Sequence, residues 1–132
     1  MRDLDLIEHL PMIKELVSKY MEAQIELVES NEAIDGKLGQ SRWGHPTEIP
    51  LITLPRRITK QEIENSLLAL IMRGHIDAKP ELSSFASAVV DSVVYIKHLV
   101  LHEVAHAANN WPQSMETECD LWALAKLNQE QR

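Results

Sequence analysis

The sequence predicts an α+β domain that is mostly helical, with a small sheet and one buried helix. Its 132 residues are 45% hydrophobic and 25% charged, which is ordinary globular composition for a single domain. Most of the apolar residues recur at helical spacing, and only residues 48–58 have clear strand character. There is no repeat, low-complexity segment or linker, so we assign residues 1–132 to one domain.

Composition and charge exclude several functional classes. The net charge of −7 and the pI near 5.3 disfavour a nucleic-acid-binding surface, which needs a basic stripe. The single cysteine, Cys119, cannot form an internal disulfide. No signal-peptide segment is present, and no apolar run approaches the roughly 18 residues of a membrane span. We therefore expect a cytoplasmic protein that binds neither nucleic acid nor membranes.

The first 47 residues are predicted to form one helix followed by a loop. Residues 3–29 carry apolar side chains at roughly helical spacing, and Pro11 suits a first turn or a kink. Residues 30–47 contain three of the four glycines and predict turns. Within them, Asp35-Gly36 could close a small hairpin.

The strand predicted at residues 48–58 is rich in apolar and β-branched side chains. Pro50 and Pro55 each lack a backbone N–H, which places this strand at the edge of a sheet. An edge strand leaves one row of backbone groups free to pair with an extended peptide. Residues 49–54 are therefore predicted to align a peptide.

Two long helices are predicted after the strand. Thr59 and Glu62 form a capping box at the start of the first, which Gly74 is expected to stop. Residues 82–110 are apolar on nearly all sides, which predicts one helix in the interior of the fold.

A final helix is predicted from a cap at Ser114 to about Gln129. Cys119 is predicted to be a small core residue of this helix. Trp111 and Trp122 are expected to pack around the chain reversal between the two C-terminal helices.

The buried helix contains the pattern His102-Glu103-x-x-His106. Residues four apart lie on one helix face, so both imidazoles can reach one metal ion at the zinc–nitrogen distance of about 2.0–2.1 Å. Glu103, about 100° around the helix, can reach a metal-bound water and accept its proton. Polar groups inside an apolar helix are costly unless they are paired or bind metal. The pattern therefore predicts a zinc site with Glu103 as general base.

A catalytic zinc site needs a third protein ligand, and Glu116 and Glu118 compete for that role. A reversal after His106 can bring either residue back, but they face about 200° apart on a helix, so only one can point at the metal. We prefer Glu116, because Asp120 lies four residues further along the same face. Asp120 could then accept a hydrogen bond from the far nitrogen of a ligand imidazole.

Other polar residues near the motif have open roles. His98, one turn before His102, either faces the substrate or supports a metal ligand, or it is a partly exposed polar residue. Tyr95 and Arg73 are both candidates to stabilise an oxyanion. The remaining histidines are expected at the surface: His9, His45 and His75.

The pattern His102-Glu103-x-x-His106 followed by Glu116-x-x-x-Asp120 resembles the gluzincin metallopeptidases. The strings HEVAHA and ETECDLWALAKL are similar to the active-site and glutamate helices of minimal, single-domain gluzincins and of peptidase domains related to ImmA and IrrE. The resemblance covers about residues 93–127. It implies a zincin-like fold with a buried active-site helix, a zinc cofactor and a peptide or protein substrate.

Three alternatives stay open at this point. The chain could be a catalytically silent zincin-like module that binds a protein partner or keeps a metal for stability. It could be a helical interaction protein without metal. A set of two histidines and one carboxylate can also hold Fe(II) instead of zinc.

Overall fold

Residues 1–44 and 48–130 are described by a computed structural model, and in this part of the chain five helices accompany five short strands. The helices are α1 (Leu10–Ser18), α2 (Lys60–Ile76), α3 (Pro80–Ala88), α4 (Ser92–Ala108) and α5 (Glu116–Glu130). The strands are β1 (Leu4–Asp5), β2 (Gln24–Val28), β3 (Gln40–Arg42), β4 (Leu51–Pro55) and β5 (Arg57–Ile58). The predicted α+β, mostly helical class is confirmed.

The main sheet has the strand order β2-β4-β3, with β2 parallel and β3 antiparallel to β4. β1 and β5 form a separate antiparallel pair. The edge position predicted for residues 48–58 is wrong, because β4 is central. Pro50 precedes this strand and Pro55 is its last residue, so neither removes an N–H from the middle of the ladder. β3, not β4, is the edge strand next to α4.

The helix predicted for residues 3–29 is wrong before Leu6, where Leu4–Asp5 form β1, and beyond Ser18. A 3₁₀ turn and α1 together span Leu6–Ser18, and β2 follows. In β2, exposed Gln24 and Glu26 alternate with half-buried apolar residues, a period of two that suits a strand.

The predicted hairpin at Asp35-Gly36 is also wrong. Both residues have positive φ, 56° and 75°, but they end a 3₁₀ turn on the way from β2 to β3. These two strands each pair with β4 and not with each other, so the turn does not join hydrogen-bonded neighbours.

The capping box that begins α2 is confirmed, since Thr59 Oγ1 accepts from the Glu62 N–H and Glu62 accepts from the Thr59 N–H. However, Gly74 does not stop the helix, which continues to Ile76. A β-carbon at Gly74 would stand 2.3 Å from Ser83 Oγ. Glycine is therefore required here by the close packing of α2 on α3.

The single helix predicted for residues 82–110 is divided in two. α3 ends at Ala88, and Asp91 begins α4 by accepting hydrogen bonds from two N–H groups of its first turn. Ser114 lies in a 3₁₀ turn, so it does not cap α5 directly as predicted; α5 begins at Glu116.

α4 lies at the centre of the core and packs against α1, α5 and β3. Ile96, Val100, Leu101 and Val104 have no exposed surface, which confirms the predicted burial of this helix. Trp122 packs edge-on against Tyr20 of the segment after α1. Within the two described ranges, no helix combines the length and the apolar character needed to cross a membrane.

Candidate metal centre

The side chains of His102, His106 and Glu116 converge, and their potential ligand atoms all lie within 4.8 Å of one another. His102 Nε2 is 3.0 Å from one carboxylate oxygen of Glu116, and His106 Nε2 is 3.0 Å from the other. The two imidazoles lie one turn apart on α4, with their ring centroids 5.0 Å apart. The set that the spacing predicted is therefore brought together in space.

A tight reversal after α4 makes the short spacing between His106 and Glu116 possible. Asn110 adopts a φ of 54°, and the Trp111 N–H donates to the carbonyl of His106 at 2.9 Å. One 3₁₀ turn then leads into α5, which begins at Glu116 itself. The third candidate ligand is thus carried by the first residue of a helix that packs against α4.

Each imidazole is oriented through its other nitrogen. His102 Nδ1 lies 2.6 Å from Asp120 Oδ1, as the sequence predicted. The second oxygen of Asp120 pairs with the guanidinium group of Arg73, so this candidate for oxyanion stabilisation is engaged elsewhere. His106 Nδ1 lies 2.9 Å from the carbonyl oxygen of Trp111. That contact has no sequence signature, because any residue at position 111 would supply the same carbonyl.

Two of the separations between the three groups are close to those that a zinc ion requires. Two ligand atoms about 2.0–2.1 Å from zinc at a tetrahedral angle lie about 3.3–3.4 Å apart. The observed separations of 3.0 Å between the imidazole nitrogens and the Glu116 oxygens differ from this by a few tenths of an ångström. The potential ligand atoms of the two imidazoles lie within 4.8 Å of each other, so the three groups are near enough to share one ion after side-chain movement.

In the metal-free chain, hydrogen bonds from the two imidazoles to carboxylates connect the side chains of the cluster. Burial lowers the pKa of His102, but hydrogen bonds to Asp120 and Glu116 outweigh it and raise the pKa to about 10. For Glu116, burial acts to raise the pKa, but hydrogen bonds from His102 and His106 bring it well below its ordinary value. At neutral pH His102 is therefore protonated and Glu116 is ionised.

Zinc binding is expected to release protons, because an imidazole coordinates only in its neutral form. With the pKa of His102 raised to about 10, uptake at neutral pH displaces at least the proton of His102, and the affinity should rise as the pH rises towards that value. Titration calorimetry in buffers of different ionisation enthalpy measures this release. Heats that do not depend on the buffer would contradict the expectation.

Glu103, the predicted base, is 6% exposed and faces the same cavity as His102 and Glu116. Burial raises its pKa, although the nearby His102 and His106 oppose the shift. Its Oε1 lies 3.0 Å from the hydroxyl of Ser41 in β3. Sequence reasoning missed Ser41 and the neighbouring Gly39, because their proximity to Glu103 arises only from the packing of β3 on α4.

The other predicted residues lie around this centre. Glu118 is exposed and is not among the converging groups, which favours Glu116 as the ligand. Tyr95 is buried, and its hydroxyl is 2.7 Å from the Ser66 hydroxyl. His98 is buried against Phe85, with ring centroids 4.8 Å apart, so the alternative of a partly exposed polar residue is wrong.

Cys119 is fully buried, as predicted, and burial raises the pKa of its thiol to about 12, which disfavours a thiolate ligand. Among the predicted surface histidines, His75 is exposed and His9 is half-buried. His45 lies outside the described residues.

A cavity of about 370 Å³ extends from the candidate centre between α2, α3 and α4. Its walls are largely apolar, with Leu67, Leu70, Phe85 and Leu99 among the lining residues. His102, Glu103 and Glu116 also line it, so a molecule in the cavity would lie beside the cluster. The rim includes the exposed Ala69.

Comparison of the chain with protein-family models, with curated proteins and with solved structures finds no match.

Proposed function

We propose that this chain is a cytoplasmic zinc-dependent peptidase with a zincin-like fold. The observation that carries the proposal is the convergence of His102, His106 and Glu116, with Glu103 buried beside them. Two orienting contacts, from Asp120 and from the Trp111 carbonyl, add support because metal-ligating histidines commonly donate their other N–H to such groups.

The donor set favours hydrolytic chemistry over metal storage alone. Zinc bound by three protein ligands supplies a Lewis acid that brings the pKa of a coordinated water to about 7. Glu103 is buried next to the ligands without being one of them, and its raised pKa suits a group that accepts a proton and later donates it. In this function Glu103 takes a proton from the attacking water and delivers it to the leaving amine.

Substrate binding is assigned to the edge strand and the cavity. Among residues 1–44 and 48–130, β3 pairs only with β4, so its other row of backbone groups can pair with an extended peptide. Ser41 of β3 contacts Glu103, which places this edge directly beside the base. We therefore assign the alignment of the peptide to β3, and not to residues 49–54 as the sequence predicted. The apolar cavity would take a side chain next to the cleaved bond.

The proposal is tested by incubating the zinc-loaded chain with a peptide library and identifying new termini by mass spectrometry. We expect cleavage that a chelator abolishes and that added zinc restores. A chain that binds one zinc ion tightly and cleaves no peptide would favour the silent zincin-like module instead. A chain that takes up no metal would support an interaction protein without metal.

Narrowing the cavity should reduce the cleavage of peptides with large apolar side chains. Ala69 is exposed at the rim, so Ala69→Phe adds bulk without overpacking the core. We expect unchanged zinc binding and a lower kcat/KM that is confined to peptides with bulky residues at the cleavage site. Equal losses for peptides with small and with large residues would argue against the cavity as a specificity pocket.

A further inference from the structure

Glu103 receives two contacts from the chain around β3. The Ser41 hydroxyl lies 2.7 Å from the backbone carbonyl oxygen of Glu103 and 3.0 Å from its Oε1. Ser41 and Glu103 are 7% and 6% exposed. A single hydroxyl therefore bridges the main chain and the carboxyl group of the same buried residue.

The second contact is made by Gly39, just before β3. A β-carbon built at this position would lie 2.8 Å from both Cγ and Oε2 of Glu103. Such distances are shorter than real β-carbons tolerate, so the Glu103 carboxyl group rests directly on the bare backbone of Gly39. The backbone here does not have positive φ, so available space rather than conformation requires glycine.

We propose that Gly39 and Ser41 are positioning residues that hold the Glu103 carboxyl group in one orientation beside the metal ligands. This inference rests on the proposed function for its catalytic meaning. A glutamate side chain has several rotamers, and small misplacements of a catalytic group are costly to the reaction rate. Gly39 has no side chain and so leaves room for the Glu103 carboxyl group on one side. The Ser41 hydroxyl donates a hydrogen bond to that carboxyl group.

The contact with the Glu103 carbonyl also gives Ser41 a structural role, because it connects β3 to α4. Substitutions of Ser41 affect both contacts of the hydroxyl together, so Gly39→Ala is the variant that separates the roles. Ser41→Thr keeps the hydroxyl, whereas Ser41→Ala removes it. Gly39→Ala leaves the hydroxyl in place but pushes on Cγ and the carboxyl group of Glu103, so this side chain must shift.

The test is carbon-13 NMR of the metal-free 132-residue chain labelled at glutamate Cδ, with Glu103→Gln used to assign the resonance of Glu103. We expect Ser41→Ala and Gly39→Ala each to displace this resonance and Ser41→Thr to restore it. Ser87→Ala is the matched control, because it removes a different hydroxyl–carbonyl hydrogen bond of 2.8 Å to Ser83. An unmoved Glu103 resonance in Gly39→Ala would overturn the inference, even if Ser41→Ala failed to fold.

A second readout connects positioning to chemistry. Once a cleaved peptide is identified, Ser41→Ala should lower kcat for it roughly 10- to 100-fold, with little change in KM or in zinc affinity. Ser41→Thr should recover most of this loss. The NMR measurement needs neither zinc nor substrate. Failure of the proposed peptidase function is therefore distinguishable from failure of the positioning inference.

Discussion

Replacing Glu103 by glutamine is expected to abolish peptide cleavage while leaving zinc binding intact. Glutamine has the same size and can keep a hydrogen bond to Ser41, but it cannot accept a proton from water. Loss of a general base typically lowers kcat by about 10²–10⁴-fold. Metal content by mass spectrometry and cleavage rate, measured on the same sample, test both halves of the expectation.

Glu118→Gln is the matched control for this change. Glu118 carries the same charge near the same helix junction, but it is exposed and lies outside the converging group. The Glu118→Gln variant should cleave peptides at the same rate as the unchanged chain. Full activity in Glu103→Gln would remove Glu103 from the mechanism, even if the metal site were real.

Glu116→Ala is expected to cause a larger loss of zinc affinity than Asp120→Ala, since it removes the carboxylate that both imidazoles face at 3.0 Å. Two histidines alone leave an incomplete ligand set. The loss should exceed the roughly 10- to 100-fold typical of removing an orienting partner, which is the loss we expect for Asp120→Ala. Competition with a chromogenic chelator measures the zinc affinities of the unchanged chain, Glu116→Ala and Asp120→Ala on one scale.

Glu118→Ala again provides the comparison, because the sequence offered Glu118 as the rival ligand. We expect its zinc affinity to equal that of the unchanged chain. A large loss in Glu118→Ala together with a small loss in Glu116→Ala would reverse the ligand assignment and require α5 to rotate when the metal binds.

Short-range sequence patterns predicted which side chains come together at the candidate centre. The i, i+4 spacing of His102 and His106 fixes their common face once α4 forms, and the apolar residues around them predict its burial. Asp120 follows Glu116 by the same spacing, so a single helix presents both carboxylates. These relations depend on one helix at a time and are therefore readable from the sequence.

Relations between distant segments could not be predicted in the same way. β3 reads Gln-Ser-Arg and carries no apolar signal, so the edge strand was assigned to the more hydrophobic β4. Its contacts with Glu103 arise from tertiary packing across 62 positions of sequence. The apolar residues of β2 fit both the helical and the strand period over so short a segment, so the sequence alone predicts helix there.

The most direct test of the account is a crystal structure of the zinc-soaked chain, with anomalous diffraction recorded on both sides of the zinc absorption edge. We expect a single zinc peak bound by Nε2 of His102, Nε2 of His106 and the carboxylate of Glu116, each at about 2.0–2.2 Å. A zinc peak at other residues, or no peak between these three side chains, would contradict it.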